Sequence, residues 1–417
     1  MLQKKTRSLI SSITLGSTLE WYELILYIYW APIISQLFFC SKSDLVELID
    51  ALLVFSIGFL ARPIGGFIFG LIGDKYGRKK VFVFSIVIMS IPTFCIGFIP
   101  LYAEIGYWSG ILLAICRIFQ NLPAGGELPG AICYLYESAA PRNKKFVTSF
   151  SLIGPTLGSI VAIAECTLMK NYMSHEFLIN WGWRLSFIFG GLLGLLGLLL
   201  RSRLEETPSF IQLKENRLLQ KISHASETIW KHKKNVIKGF CFSVLEIVGY
   251  VMLAMIPVLY NVKIVSFDYS EHLLIVSIML FLSFLLMPIF GKLGDKFGSL
   301  KMLKWSAAGI IVISYPLYRT LTGAPLPITV ITIFIFVVLI SVHFSLIPSL
   351  IAQLFPTSVR YTGVGLSFNL CDSILVSLVP PVAVFFAHSW GTIAACSIIL
   401  SIAALISYIS FFFIKDD

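Results

Sequence analysis

The sequence predicts an all-α membrane protein with twelve transmembrane helices in two pseudo-symmetric six-helix bundles. Composition, the length of the apolar runs and an internal repeat lead to this prediction. The 417 residues are 57% hydrophobic and 13% charged, with a mean hydropathy of +0.87, whereas about a quarter of the residues in a soluble domain are charged. Apolar runs of about 20 residues are typical of membrane-spanning helices. The runs are continuous rather than alternating, which favours helices over a barrel.

Each apolar run is long enough to cross a bilayer as a helix, and we number the runs in chain order as spans 1 to 12. The predicted spans are 8–36, 47–72, 80–101, 107–137, 146–169, 182–201, 235–260, 271–291, 303–320, 326–352, 362–387 and 391–414. A long polar connection separates span 6 from span 7. It predicts an N-terminal six-helix bundle at 1–201, a cytoplasmic linker at 202–234 and a C-terminal six-helix bundle at 235–417.

An eleven-residue sequence occurs after the second span of each half. GLIGDKYGRKK occupies 70–80 and GKLGDKFGSLK occupies 291–301, with six identical positions. A weaker repeat relates ESAAPRNKK at 137–145 to FPTSVR at 355–360, each after the fourth span of its half. Duplication of six spans is typical of secondary transporters, in which two halves rock about a central site. The repeat therefore predicts transport by alternating access.

The distribution of lysine and arginine predicts the orientation in the membrane. With the N-terminus in the cytoplasm, 25 of the 32 basic residues fall in cytoplasmic segments, as the positive-inside rule requires. We therefore expect a multi-pass protein of the inner (cytoplasmic) membrane with both termini in the cytoplasm. Topology then explains the net charge of +10, so nucleic acid is not an expected partner. The expected partners are a small-molecule substrate, protons and the lipid bilayer, and a monomer is expected to function.

The repeated sequence resembles the signature G-x-x-x-D-(R/K)-x-G-R-(R/K) of the major facilitator superfamily. Further stretches resemble its metabolite:proton symporter branch, and most of all the proline/betaine transporters. These stretches are EWYE at 20–23, RPIGGFIFG at 62–70, RIFQNLPAGGE at 117–127, YESAAPR at 136–142, NWGWRLSF at 180–187, LEETPSF at 204–210 and FPTSVRYTGVGLSFN at 355–369. The resemblance implies the major facilitator fold and proton-coupled transport of a small solute.

The sequence departs from the family pattern at three places. Asn121 occupies a position that is usually glycine in this branch. Ser299 in the second repeat stands where the first repeat has Arg78. The sequence ends shortly after span 12, without the long C-terminal extension of osmosensing proline/betaine transporters. Osmotic activation is therefore not among the expectations.

The repeated sequence is also a candidate gate. Glycines three to four residues apart on span 2 predict a close helix contact. Asp74 follows them at the cytoplasmic mouth, where it can accept hydrogen bonds from a helix N-terminus or pair with a base across the two halves. We interpret the following as gating residues of a latch that closes the cytoplasmic side: Gly70, Asp74, Gly77, Arg78 and Asp295. A tight turn with basic anchors is the alternative interpretation.

Charged residues at membrane depth mark a functional interior, because an ionisable group in lipid costs a few kcal/mol or more. Glu20 and Glu23 share a face of span 1 near its middle, and Arg117 lies near the middle of span 4. We expect these three to form a central cluster. Arg62 and Glu127 are expected to form a buried ion pair below it. Locking of helices by permanent ion pairs is the alternative for both groups.

Acids outnumber bases at this depth. Glu246 in span 7 and Asp372 in span 11 join the three glutamates, against two arginines. Arginine stays protonated, so pairing neutralises two acids at most, and the others face water or carry protons. We therefore expect proton-coupled symport. The expected proton-coupling residues are Glu20, Glu23 and Glu127.

The expected substrate is a small carboxylate-bearing zwitterion such as proline or glycine betaine. Aromatic rings beside the acids of span 1 can hold an ammonium group by cation–π contact, and an arginine can hold a carboxylate. The expected substrate-binding residues are Arg117, Trp21, Tyr22, Tyr27, Glu246 and Asp372. Packing is the alternative role for the aromatic residues. A di- or tricarboxylate substrate such as α-ketoglutarate or citrate, and a non-transporting receptor with a transporter fold, are the alternative functions.

Motifs of enzymes and metal sites are missing from the sequence. It contains no HExxH, no GxSxG and no phosphate-binding GxxxxGK[ST] motif. The eight cysteines include no CxxC pair. The sequence therefore predicts a protein that is not an enzyme and has no metal site and no cofactor.

Overall fold

Each predicted span corresponds to a helix in the structure, a computed structural model that describes residues 2–40, 44–216, 230–259, 269–321 and 324–414. The helices of spans 1 to 6 are Leu2–Phe38, Asp44–Leu60 with Arg62–Tyr76, Arg78–Ile96, Trp108–Ser138, Lys144–Tyr172 and Trp183–Ser202. The helices of spans 7 to 12 are Lys233–Leu259, Tyr269–Phe297, Ser299–Thr320, Leu326–Gln353, Arg360–Ser389 and Ser397–Ser410. The prediction of an all-α fold is confirmed.

Nine described helices are long and apolar enough to cross a membrane by length and composition alone. Spans 1, 4 and 9 are long helices that fall outside this set. Spans 1 and 4 also carry the buried Glu20, Glu23, Arg117 and Glu127. Their lower hydropathy therefore has a structural cause, since polar side chains inside a bundle avoid the cost of exposure to lipid.

The two halves pack in the same way. Span 1 packs on span 5, span 2 on span 4, and span 3 on both span 4 and span 6. In the second half, span 7 packs on span 11, span 8 on span 10, and span 9 on both span 10 and span 12. Span 2 contacts span 11, and span 8 contacts span 5. Spans 8 and 5 are the counterparts of spans 2 and 11 in the opposite halves, so the two interfaces between the halves are equivalent.

Residues 202–216 of the predicted linker include the short helix Pro208–Glu215. Residues 217–229 of that linker lie outside the described residues. The division into bundles at 1–201 and 235–417 stays a prediction.

Span 2 is interrupted at Ala61, and Arg62 begins its second helix. Pro63 lies in the first turn of this second helix, where its missing N–H leaves no helical hydrogen bond broken. Glycines then bring spans 2 and 4 together. A Cβ on Gly65 would overlap the carbonyl oxygen of Leu122, and a Cβ on Gly125 would overlap that of Arg62. This close approach holds Arg62 against span 4.

Candidate functional site

The buried arginine of span 2 forms an ion pair between the halves. Arg62 Nη1 lies 3.0 Å from Asp372 Oδ2 on span 11, and Arg62 Nε donates to Asn121 Oδ1 at 3.1 Å. Glu127 pairs with Arg201 instead. The ion pair expected between Arg62 and Glu127 is therefore replaced by two others, because each residue meets a nearer partner from another span.

Arg201 is a member of the interior that the sequence analysis missed. It ends span 6 and is one of the basic residues assigned to the cytoplasmic side, but its side chain is fully buried. Its guanidinium lies 3.9 Å from the centre of the Phe82 ring. Arg201 contacts Glu127 Oε1, and the Ser85 hydroxyl donates to Glu127 Oε2 at 2.9 Å. A long side chain at the end of a span can turn back into the bundle. The buried acid Glu127 in the inner half of span 4 needs a basic partner, and this need was the one sign in the sequence that Arg201 could lie inside.

Glu23 belongs to a hydrogen-bond chain that ends on Arg117. The Thr93 hydroxyl donates to Glu23 Oε2 at 2.6 Å, and the Gln120 amide donates to the Thr93 oxygen at 2.7 Å. Arg117 Nη1 donates to Gln120 Oε1 at 2.6 Å. The Gln120 amide also donates to Glu23 Oε2 at 3.4 Å. The expected direct contact between the glutamates of span 1 and Arg117 is thus replaced by a connection through the neutral side chains of Gln120 and Thr93.

Arg117 has an unused edge. Its guanidinium lies 4.4 Å from the ring centre of Tyr27 and 5.3 Å from that of Phe55, and the side chain is fully buried. Within the described part of the chain, Nε and Nη2 of Arg117 have no hydrogen-bond partner. These two N–H groups lie on one side of a guanidinium and can bind a carboxylate through parallel hydrogen bonds.

Three buried carboxyls have no ion pair among the described residues: Glu20, Glu23 and Glu246. Oε2 of Glu20, Oε1 of Glu23 and both carboxyl oxygens of Glu246 also lack hydrogen-bond partners there. A buried carboxylate without a cation is costly, and taking up a proton removes much of that cost. The interior therefore holds more carboxyl groups than its arginines neutralise.

An aromatic contact joins the halves beside this interior. The rings of Trp21 on span 1 and Tyr250 on span 7 meet edge to face, with centroids 5.2 Å apart. The Tyr250 and Ser159 hydroxyl oxygens share a hydrogen bond at 2.6 Å. Tyr250 is not among the residues expected from the sequence, although it lies four residues after Glu246 and so one turn away on the same face.

Tyr22 and Tyr27 use their hydroxyls within the first half. Tyr22 donates to Glu165 on span 5, and Ser186 donates to the other oxygen of Glu165 at 2.7 Å. Tyr27 donates to the carbonyl oxygen of Ala51 at 3.0 Å. These contacts account for both tyrosines by packing and hydrogen bonding, and their role in substrate binding stays a prediction.

The first copy of the repeated sequence touches span 11. Asp74 Oδ2 accepts hydrogen bonds from the backbone N–H of Thr362 at 3.0 Å and from its hydroxyl at 2.7 Å. Asp74 Oδ1 accepts from the Tyr361 N–H at 3.3 Å. The carboxylate therefore caps a helix of the other half, where unpaired N–H groups and the helix dipole favour an anion. A Cβ on Gly70 would lie 2.7 Å from Thr362 Cα, so this contact requires glycine.

The second copy makes the equivalent contact with span 5. Asp295 accepts from the backbone N–H groups of Lys145 and Phe146 at 3.0 and 2.9 Å. Gly77 and Gly298 follow the two aspartates with φ of 109° and 88°, a conformation that favours glycine. We call the end of the bundle where 70–80 and 291–301 lie the motif end.

Arg78 connects the first of these contacts to a wider network at the motif end. Its Nη2 lies 3.1 Å from Asp74 and 3.3 Å from Glu137, and it donates to the Thr357 carbonyl oxygen at 2.7 Å. Glu137 also pairs with Arg360 at 2.9 Å. The end of span 4 and the start of span 11 are thus joined by an ion pair between the buried Glu137 and the half-buried Arg360.

Comparison with known proteins places the chain in a family. The family model of the Major Facilitator Superfamily matches residues 24–380. The chain is 31% identical to the proline/betaine transporter of Salmonella typhimurium (strain LT2), over 99% of this chain and 84% of that protein. It is also 31% identical to the glycine betaine/proline/ectoine/pipecolic acid transporter OusA of Dickeya dadantii (strain 3937), with the same coverage.

Solved structures share the fold. The proton:xylose symporter XylE bound to 6-bromo-6-deoxy-D-glucose matches with a TM-score of 0.81 at 16% identity, covering 99% of this chain and 96% of that chain. A variant of the E. coli fucose:proton symporter FucP matches with a TM-score of 0.68 at 14% identity, covering 98% of each chain. The family match, the relatives and the fold indicate a multi-pass membrane transporter of a small molecule rather than an enzyme. The chain belongs to the major facilitator superfamily.

Proposed function

We propose that this protein is a proton-coupled symporter that imports a small carboxylate-bearing zwitterion such as proline or glycine betaine. The named substrates of its relatives support the substrate class. The observation that carries the coupling is the excess of buried carboxyls, since Glu20, Glu23 and Glu246 have no ion pair among the described residues. Charge balance in such an interior requires protons.

Glu23 is the titrating group in this proposal, and Arg117 is its partner. Protonated Glu23 is held by Thr93 and leaves the free edge of Arg117 open. Deprotonated Glu23 is attracted to that edge, which offers two parallel N–H groups to a carboxylate. When Glu23 loses its proton, its negative charge balances the positive charge of Arg117. When Glu23 is protonated, the charge of Arg117 has no such balance. Glu20 is a second proton site in this proposal, and Glu127 is a third, which would release Arg201 when it takes up a proton.

Alternating access depends on the motif end. Asp74 and Asp295 hold the two halves together there, and both contacts must break before that end opens. The excess of basic residues in these connections supports a cytoplasmic position for the motif end and both termini. We place the protein in the inner membrane, and a monomer suffices because one chain supplies both halves.

Uptake into proteoliposomes tests this function. Labelled proline, glycine betaine, α-ketoglutarate and citrate are each supplied with and without an inwardly directed proton gradient. We expect the gradient to accelerate uptake in the unaltered protein and to lose this effect in Glu23→Gln, which retains exchange of substrate. Glu176→Gln, an exposed position, is the matched control. Gradient-insensitive uptake by the unaltered protein would rule out coupling, and uptake of citrate alone would rule out the zwitterion.

A further inference from the structure

One buried basic side chain and one buried acidic side chain near the interface between the halves keep polar atoms without a partner among the described residues. Arg62 of the first half is buried, and its Nη2 has no hydrogen-bond partner among the described residues. Glu246 of the second half is buried as well, and both of its oxygens lack partners there. Buried polar atoms without a partner are costly in a fixed structure. These free atoms are therefore available to a bound molecule, and a cationic group on Glu246 would balance its charge as a proton does.

The two groups lie around the same side chains. Arg62 contacts Asp372 at 3.0 Å, and its guanidinium lies 5.9 Å from the centre of the Trp21 ring. Trp21 in turn packs on Tyr250, one helical turn from Glu246. Asp372 and Glu246 lie on spans 11 and 7, which pack on each other. Positive and negative ends of one site therefore meet at the interface between the halves.

We propose that the zwitterion binds across this interface, with its carboxylate on Arg62 and its ammonium group on Glu246 against the rings of Trp21 and Tyr250. This inference deepens the proposed function and rests on it for the substrate class. Two aromatic rings beside a carboxylate are suited to a secondary or quaternary ammonium group. The free N–H of Arg62 gives the substrate carboxylate a charge-assisted hydrogen bond.

Among the described residues, Arg117 has two free N–H groups, but it contacts only the first half. Its guanidinium lies between Tyr27 and Phe55, and its hydrogen bonds lead to Gln120, all within the first half. A substrate of a rocking transporter has to contact both halves. Arg62 and Glu246 meet this requirement, so a bound zwitterion would bridge spans 2 and 7 and hold the halves together while it is enclosed.

Substrate isosteres test the ammonium position directly. 3,3-Dimethylbutanoate has the shape and carboxylate of glycine betaine but carries carbon in place of the charged nitrogen. We expect the purified full-length protein to bind glycine betaine at least about tenfold more tightly than 3,3-dimethylbutanoate in calorimetric titrations at a single pH, since a charge-assisted contact and cation–π contacts are lost. In Glu246→Gln this preference should shrink to about threefold or less.

Matched variants separate the site from general damage. Glu165→Gln removes a carboxyl of the first half and should keep the preference for glycine betaine. Tyr250→Phe keeps the ring and should keep most of the affinity, whereas Tyr250→Leu should lose about three- to thirtyfold. Arg62→Lys should weaken both ligands together, because both carry the carboxylate. Thermal unfolding of each variant in detergent reports whether it is folded.

The outcomes distinguish the site from the function. Glu246→Gln that binds glycine betaine with unchanged preference, in a folded protein, overturns the site and leaves zwitterion transport intact. An unaltered protein that neither binds nor takes up glycine betaine or proline overturns the substrate class and this site with it. Gradient-insensitive uptake combined with the expected isostere result removes proton coupling and retains the site.

Discussion

Arg201 and Glu127 show how buried residues of opposite charge fix a helix pair. They join spans 6 and 4, and both side chains are almost fully enclosed. Removing one partner leaves an uncompensated buried charge, which costs about 3–5 kcal/mol, whereas replacing both partners is much less costly. The pair is therefore expected to stabilise the first half only as long as both members are present.

A double-mutant cycle tests this expectation. Arg201→Met should lower the stability of the detergent-solubilised protein by about 3–5 kcal/mol, and the added change Glu127→Gln should recover more than half of the loss. Thermal unfolding followed by fluorescence measures both effects. If Arg201→Met alone is as stable as the unaltered protein, the two charges do not depend on each other.

The chain from Glu23 to Arg117 marks the limit of sequence analysis at this scale. The sequence placed both residues near mid-depth, and Gln120 lies three residues after Arg117 on the same helical face. Thr93, however, comes from span 3, and nothing in its own span distinguishes it from other buried threonines. A residue that acts through a neighbour from another span is visible only once the spans are packed.

At the scale of the elements, the two repeated sequences are helix caps that act between halves. Asp74 has three hydrogen bonds to span 11 and an ion pair with Arg78. Asp295 has two backbone hydrogen bonds to span 5, and Ser299 stands where the first copy has arginine. The span 2 contact is therefore expected to be the stronger of the two.

This asymmetry gives a prediction for the latch. Asp74→Asn should shift the population towards a state open at the motif end more than Asp295→Asn does, because the helix cap and the ion pair both weaken. Spin labels at the exposed positions Arg142 and Lys296, in a cysteine-free background, measure the distance across the motif end. An unchanged distance distribution and an unchanged transport rate in Asp74→Asn would reject the latch.

At the scale of the whole molecule, two equivalent interfaces connect the pseudo-symmetric halves. Spans 2 and 11 on one side and spans 8 and 5 on the other are exchanged by the same relation. In the proposed transport cycle, rocking of the two halves opens both contacts at once, as expected for transporters with repeats. The orientation of this motion in the membrane remains the prediction made from basic residues.

Cysteine labelling tests the orientation. Tyr172→Cys lies at the end of span 5 away from the motif end, and Arg142→Cys lies at the motif end; both positions are exposed. We expect a membrane-impermeant thiol reagent to label Tyr172→Cys in intact cells and Arg142→Cys only after permeabilisation, with the cysteine-free protein as control. The reverse pattern would place the motif end outside.

The sequence by itself determined the class of fold, the twelve spans, the duplication and the residues that bear charge at depth. It did so because lipid permits few backbone structures and penalises every unpaired charge. Only the tertiary structure decided which charges pair: Arg62 with Asp372, and Glu127 with Arg201. Partner choice depends on which helix faces meet and how closely, and those are set by contacts such as Gly65 and Gly125, far apart in the chain.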